Sequence, residues 1–217
     1  ADWLKNILRC FREIQPNPLG VGGKILPFYE SPKPKWFKDE YEIRTWGNYP
    51  RFLKHGESFS GSNMIFNKNI FKTYGGFNTC VGMKEERLLL GEETALFDKV
   101  WEFSNKKHDI NIFYYLPQAV VFHIVPSYKM SLLYQLKRKF ASGQSWYLLH
   151  RPKSIKGRLR LFIRLLFSIV KLTIVALIHI GEYRTYQNWM VERFGPIVGE
   201  IGRLTGCVGL PISVKQR

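Results

Sequence analysis

Between residues 110 and 181 the chain carries eleven lysines and arginines and no aspartate or glutamate. The same stretch holds the most apolar run of the sequence, LFIRLLFSIVKLTIVALI (161–178). Residues 1–109 carry 17 basic and 14 acidic side chains, and residues 182–217 carry five and three. The net charge of +16 therefore comes mostly from one third of the 217 residues. A near-neutral part joined to a basic, apolar part points to a globular body with a surface-binding segment. Anionic membrane and nucleic acid are the usual partners of such a segment.

Composition removes other classes. At 45% hydrophobic and 15% aromatic the chain is too apolar for a disordered basic tail. Its three cysteines, Cys10, Cys80 and Cys207, are far apart and form no C-x-x-C pair. That excludes a disulfide scaffold and a cysteine-based zinc site, and it fits a reducing compartment.

Residues 158–180 are the strongest helix of the sequence. At 100° per residue Arg160, Arg164 and Lys171 fall within an arc of about 40°, and nearly everything else from 161 to 178 is apolar. A spanning helix wants about 20 mostly apolar residues without a central cation. An in-plane helix wants a narrow cationic stripe beside a broad apolar face, and that description fits better. The alternative is a helix buried against the globular part with its basic stripe in water.

The remaining elements follow from pattern. Trp3, Leu4, Ile7, Leu8 and Phe11 make a helical stripe that Pro16 and Pro18 end. A chain that opens inside such a core-facing helix is expected to be cut from a longer protein. LGVGGKILPFY (19–29) reads as a buried strand, SPKPKWF (31–37) as a loop, and MIF (64–66) as a short strand. Asn67 can cap a helix that Gly75 and Gly76 close. Residues 77–90 read as a connection. A helix follows Gly91, with Leu96, Phe97, Val100 and Phe103 as its apolar face. INIFYYL (110–116) and AVVFHIV (119–125) read as two β-runs split by Pro117 and Gln118. Residues 130–149 read as a helix with Leu132, Leu133, Leu136 and Phe140 on one side, and 151–157 as a basic hinge.

Few residues could carry chemistry. Glu92 and Glu93 open a helix after a glycine, where a carboxylate could take a proton from a hydroxyl or simply complement the helix dipole. His123 in an apolar strand could ligate a metal or be a satisfied core histidine. There is no H-E-x-x-H, P-loop or G-x-S-x-G, and GVGG (20–23) lacks the dinucleotide spacing.

Taken in order, GSNMIFNKNIFKTYGGFNTCVG (61–82), GEETALFDKV (91–100) and VVFHIVPSYKMSLLYQLKRKFASGQSWYLLH (120–150) resemble the C-terminal half of a family-2 glycosyltransferase. ADWLKNILRCF is similar to the helix after that family's metal-binding D-x-D strand, and VGGKILP to the next strand. The resemblance covers about residues 1–150.

It implies an α/β fold: an incomplete GT-A, Rossmann-like sandwich over 1–128. A basic helix and hinge (129–157) and an amphipathic, membrane-associated helical tail (158–217) follow. It further implies transfer, with inversion, from a nucleotide-sugar donor to a glycan, polysaccharide or lipid-linked acceptor, with Mg²⁺ or Mn²⁺ neutralising the leaving diphosphate. Glu93 aligns with the family's usual aspartate base and Glu92 with the residue before it. The extra methylene of Glu93 is a departure from the pattern. Gly61, Ser62 and Asn63 match the segment lining the donor and acceptor cleft, and His123 a histidine that ligates metal in some members; Trp36 is either an acceptor-side residue on whose ring a sugar can stack or a core or surface tryptophan. The first β-α-β units and the D-x-D would precede Ala1, so the chain by itself is expected not to be competent.

The expected location is the cytoplasmic face of the cell membrane, held through 129–180 on anionic lipid, and no nucleic acid partner is expected. A non-catalytic basic module for membrane or nucleic acid, and an inactive glycosyltransferase homologue, remain the alternatives.

Overall fold

A computed structural model describes residues 2–82, 88–105, 111–210 and 214–215. Part of the connection expected over 77–90, residues 83–87, and Ile110 of the first β-run lie outside the described residues. The chain forms two compact units: Ala1–Glu30, Lys38–Asn78 and Glu92–Val125 make one, and Ser31–Phe37, Thr79–Gly91 and Pro126–Arg217 the other.

The first unit is a partial Rossmann-like α/β sandwich. Among the described residues its four strands are β1 (Gly20–Tyr29), β2 (Arg51–Phe52), β3 (Met64–Phe66) and β4 (Phe113–Val125), in the order β2-β4-β1-β3. The central pair, β1 and β4, is parallel, whereas β3 and β2 run antiparallel to β1 and β4. Helices α1 (Trp3–Glu13), α2 (Asn69–Tyr74) and α3 (Glu92–Asn105) complete it.

Alternation along β4 separates two hydrophobic layers. Phe113 and Tyr115 join Phe59, Leu96, Phe97 and Trp101 on one face. Tyr114 and Leu116 face the other way, toward Ile7, Cys10, Val21 and Ala119. The helix faces are rotated slightly from the expected stripes. In α1, Ile7 and Cys10 are buried while Leu4 and Leu8 are exposed, because the i, i+4, i+7 set Trp3–Ile7–Cys10 faces the sheet. In α3, Trp101 is buried where Phe103 was expected; Phe103 instead packs edge-on to Tyr74.

The two β-runs expected at 110–116 and 119–125 are one strand. Pro117 does not end it, because the irregularity is absorbed where β1 advances from Gly23 to Ile25 and β4 from Leu116 to Val121. The bulged backbone presses on β1: a Cβ at Gly23 would run into the carbonyl of Ala119. Only glycine permits that approach.

The second unit is helical. α4 (Leu132–His150) is capped by Ser131, whose hydroxyl accepts from the Tyr134 N–H, and α5 (Ile155–Ile178) by Ser154, which accepts from the Gly157 N–H. α6 (Tyr186–Trp189) runs through a π-turn (Met190–Phe194) into α7 (Gly195–Cys207). α4 buries Tyr134, Gln135, Ala141, Gly143, Gln144, Ser145 and Tyr147, rather than the leucine-rich side expected. Its partner α7 comes so close that a Cβ at Gly143 or Gly202 would enter the opposing backbone, and such proximity needs small residues rather than leucines.

Candidate active site

Asn63 is the buried centre of the site, 1% exposed. Its amide group donates to the carbonyl oxygens of Lys24 (2.9 Å) and Ala119 (2.7 Å), and its Oδ1 accepts from the Trp3 indole N–H at 3.2 Å. One side chain thus ties α1, β1 and the bulge of β4 together. These bonds use the amide hydrogens and engage the oxygen, so Asn63 positions the short 3-10 turn Gly61–Asn63 at the start of β3.

That turn presents Gly61 to Glu93. The Gly61 N–H donates to Glu93 Oε1 at 2.9 Å. A Cβ on residue 61 would collide with the same oxygen, so the glycine is what admits the carboxylate. Glu93 stands in the first turn of α3 beside Glu92. Burial pushes its carboxyl above the ordinary glutamate range; the charge of Glu92 and the hydrogen bond that protonated Glu93 gives to it push the same way, against its own backbone N–H and that of Gly61. The result is a half-buried carboxyl with one oxygen fixed, shifted toward the range where general bases work.

Ser62 Oγ and His123 Nδ1 lie 3.5 Å apart, at the outer limit of hydrogen bonding. His123 is carried by β4 opposite Pro27. The structure therefore brings Gly61, Ser62, Asn63, Glu92, Glu93 and His123 into one unit. Trp36 belongs to the second unit, where its ring meets Phe37 edge-on and its carbonyl accepts from Asn188 at 2.6 Å. Trp3 is the residue that motif reading missed. It lies 60 positions from Asn63, and a lone indole in an amphipathic stripe gives no local signal of that partner.

Among the described residues no three His, Cys, Asp or Glu side chains gather as a ligand set. His123 offers a single imidazole.

Comparison with known proteins gives one distant relative to set beside this geometry. A glucosyl-dolichyl phosphate glucuronosyltransferase of Haloferax volcanii is 25% identical over 147 residues, covering 66% of this chain and 45% of the relative. The chain spans less than half the length of that relative. No protein-family model matches the chain, and no solved structure matches it significantly. At that distance, the chain is similar to a glycosyltransferase.

Proposed function

We propose that this chain is the acceptor-side part of an inverting, family-2 glycosyltransferase, with Glu93 as general base. The observation that carries this reading is the Gly61–Glu93 contact: a carboxyl raised by burial in the first turn of α3, with one oxygen held on the Gly61 backbone N–H. In the reaction, the acceptor hydroxyl gives its proton to Glu93 as its oxygen attacks the anomeric carbon of a nucleotide-sugar. The bond from that carbon to the diphosphate breaks, and the nucleoside diphosphate leaves with the electron pair. Attack opposite the leaving group inverts the centre. Gly61 and Ser62 line the acceptor path, and Asn63 sets their position. A divalent ion, Mg²⁺ or Mn²⁺, would offset charge on the leaving diphosphate, and His123 is the described imidazole that could ligate it.

The acceptor in this reading is lipid-linked, and the second unit faces an anionic cytoplasmic bilayer. α5 is long and apolar enough to cross a membrane by length and composition. Its surface, however, is divided. Leu165 and Ala176 are buried, Phe167 and Ile174 are exposed at 72% and 53%, and Arg160, Arg164 and Lys171 line the edge between. A helix with one face packed on protein, one apolar face bare and a cationic edge suits the plane of a bilayer, its lysine and arginine stems reaching for headgroups.

The test is transfer of a radiolabelled sugar from UDP- or GDP-sugars to a polyprenyl-phosphate-linked glycan by the full-length protein. Transfer that Glu93→Gln reduces by about 100-fold or more supports the reading. Transfer undiminished by that substitution, or no transfer to any glycan acceptor, overturns it.

A further inference from the structure

We propose that Trp46 is the platform on which a pyranose ring of the acceptor stacks, a subsite that rests on the transferase reading above. Trp46 is 39% exposed, and its indole N–H is already committed to the Ser58 carbonyl at 2.9 Å. What remains in solvent is apolar ring, fixed in orientation by its own hydrogen bond. A bare aromatic face of this kind gains from being covered.

The loop that carries it is held from several sides. Thr45 Oγ1 and the Tyr115 hydroxyl are 2.9 Å apart, and that hydroxyl donates to the Gly47 carbonyl at 3.1 Å. Arg44 and Ile25 exchange backbone hydrogen bonds of 2.9 and 3.0 Å. Gly47 takes φ +105°, the left-handed turn that swings the chain back. A platform already rigid loses little entropy when a ligand arrives.

The surroundings suit a sugar rather than a lipid tail or an apolar peptide. Lys24 Nζ reaches from β1 to donate to Asn48 Oδ1 at 3.0 Å, and Asn48 is exposed on the same loop as Thr45 and Trp46. A pyranose has an apolar C–H face and a rim of hydroxyls. An exposed indole on a loop that also carries an amide and a hydroxyl, with the Lys24 ammonium on that amide, has a contact for each part.

Position links the platform to the chemistry. Trp46 is anchored to Ser58, and three residues on, Gly61 holds Glu93. Three residues of chain reach at most about 10 Å, the scale of a short oligosaccharide. The Trp101 indole N–H holds the neighbouring carbonyl of Glu57 at 2.9 Å, so this stretch is itself fixed.

Saturation-transfer NMR tests the assignment, with the methyl glycosides of glucose, mannose, galactose and N-acetylglucosamine as probes. At least one should receive saturation on its ring C–H protons from the wild-type chain. Trp46→Ala should reduce that at least fivefold, and Trp46→Phe should keep about half or more. Circular dichroism and amide spectra matching wild type certify the variants as folded. No saturation from wild type onto any of the probes, or saturation that persists in Trp46→Ala, overturns the proposal. The outcome separates from the base assignment. Trp46-dependent binding with transfer undiminished in Glu93→Gln removes the base and keeps the platform, and the opposite pair of results does the reverse.

Discussion

The backbone N–H of Gly61 donates a 2.9 Å hydrogen bond to Oε1 of Glu93, and the space a Cβ would occupy at residue 61 is filled by that oxygen. Glycine and glutamate, 32 positions apart, are therefore one packed, hydrogen-bonded pair. Gly61→Ala should push the carboxylate aside without unfolding the unit, since a glutamate side chain can swing away. Transfer should fall about 10- to 100-fold, while Tm changes by about 2 °C or less. An alanine variant of wild-type activity would show that the contact does not matter.

Glu93 should also reveal itself in stability. Its folded-state carboxyl is raised above the ordinary value of 4.5, first by burial. A raised carboxyl means that the ionised form burdens the folded state. That burden is absent below the unfolded value and fully present above the folded one. Glu93→Gln should therefore raise Tm near neutral pH by about 1–2 °C and leave it unchanged at about pH 4. Thermal denaturation at the two pH values checks this; an equal gain at both would remove burial as the cause.

Asn63 should behave as a structural clamp that acts on chemistry through the turn it holds. Asn63→Ala leaves two carbonyls and the Trp3 N–H without a partner in the core. Urea denaturation should show a loss of about 2–4 kcal/mol. A loss below about 0.5 kcal/mol would mean that water or another donor replaces the amide.

Much of this site could be read along the chain because it rests on local chemistry. A glycine before two glutamates at a helix start, and a G-S-N turn before a short strand, need only neighbours to define them. What stayed hidden depends on partners far apart in sequence. Cys10 rather than Leu8 faces the sheet because helical rotation, and not hydrophobicity alone, decides which side packs. Pro117 sits within a strand because Gly23, paired with Leu116 beside it, leaves room for the bulged Ala119 carbonyl. Trp36 and Trp46 have similar polar surroundings in the sequence; only the fold shows Trp46 anchored beside the Gly61 turn.

The cationic edge of α5 should matter to membrane binding. Reversing Arg160, Arg164 and Lys171 to glutamate should abolish flotation with vesicles containing phosphatidylserine, since each basic residue near such a surface contributes about 1 kcal/mol. Binding should also weaken with salt in the wild type. Undiminished flotation of the triple variant would leave the apolar face alone as the anchor.

The central claim, that Glu93 takes the proton, is tested most directly by the pH dependence of kcat/KM for transfer by the full-length protein. A base must be ionised, so the wild-type rate should climb tenfold per pH unit and level off above a midpoint higher than the ordinary glutamate value of 4.5. Glu93→Gln should lose that limb and lower the plateau by about 100- to 10,000-fold. A Glu93→Gln protein that keeps both the limb and the plateau would contradict the account.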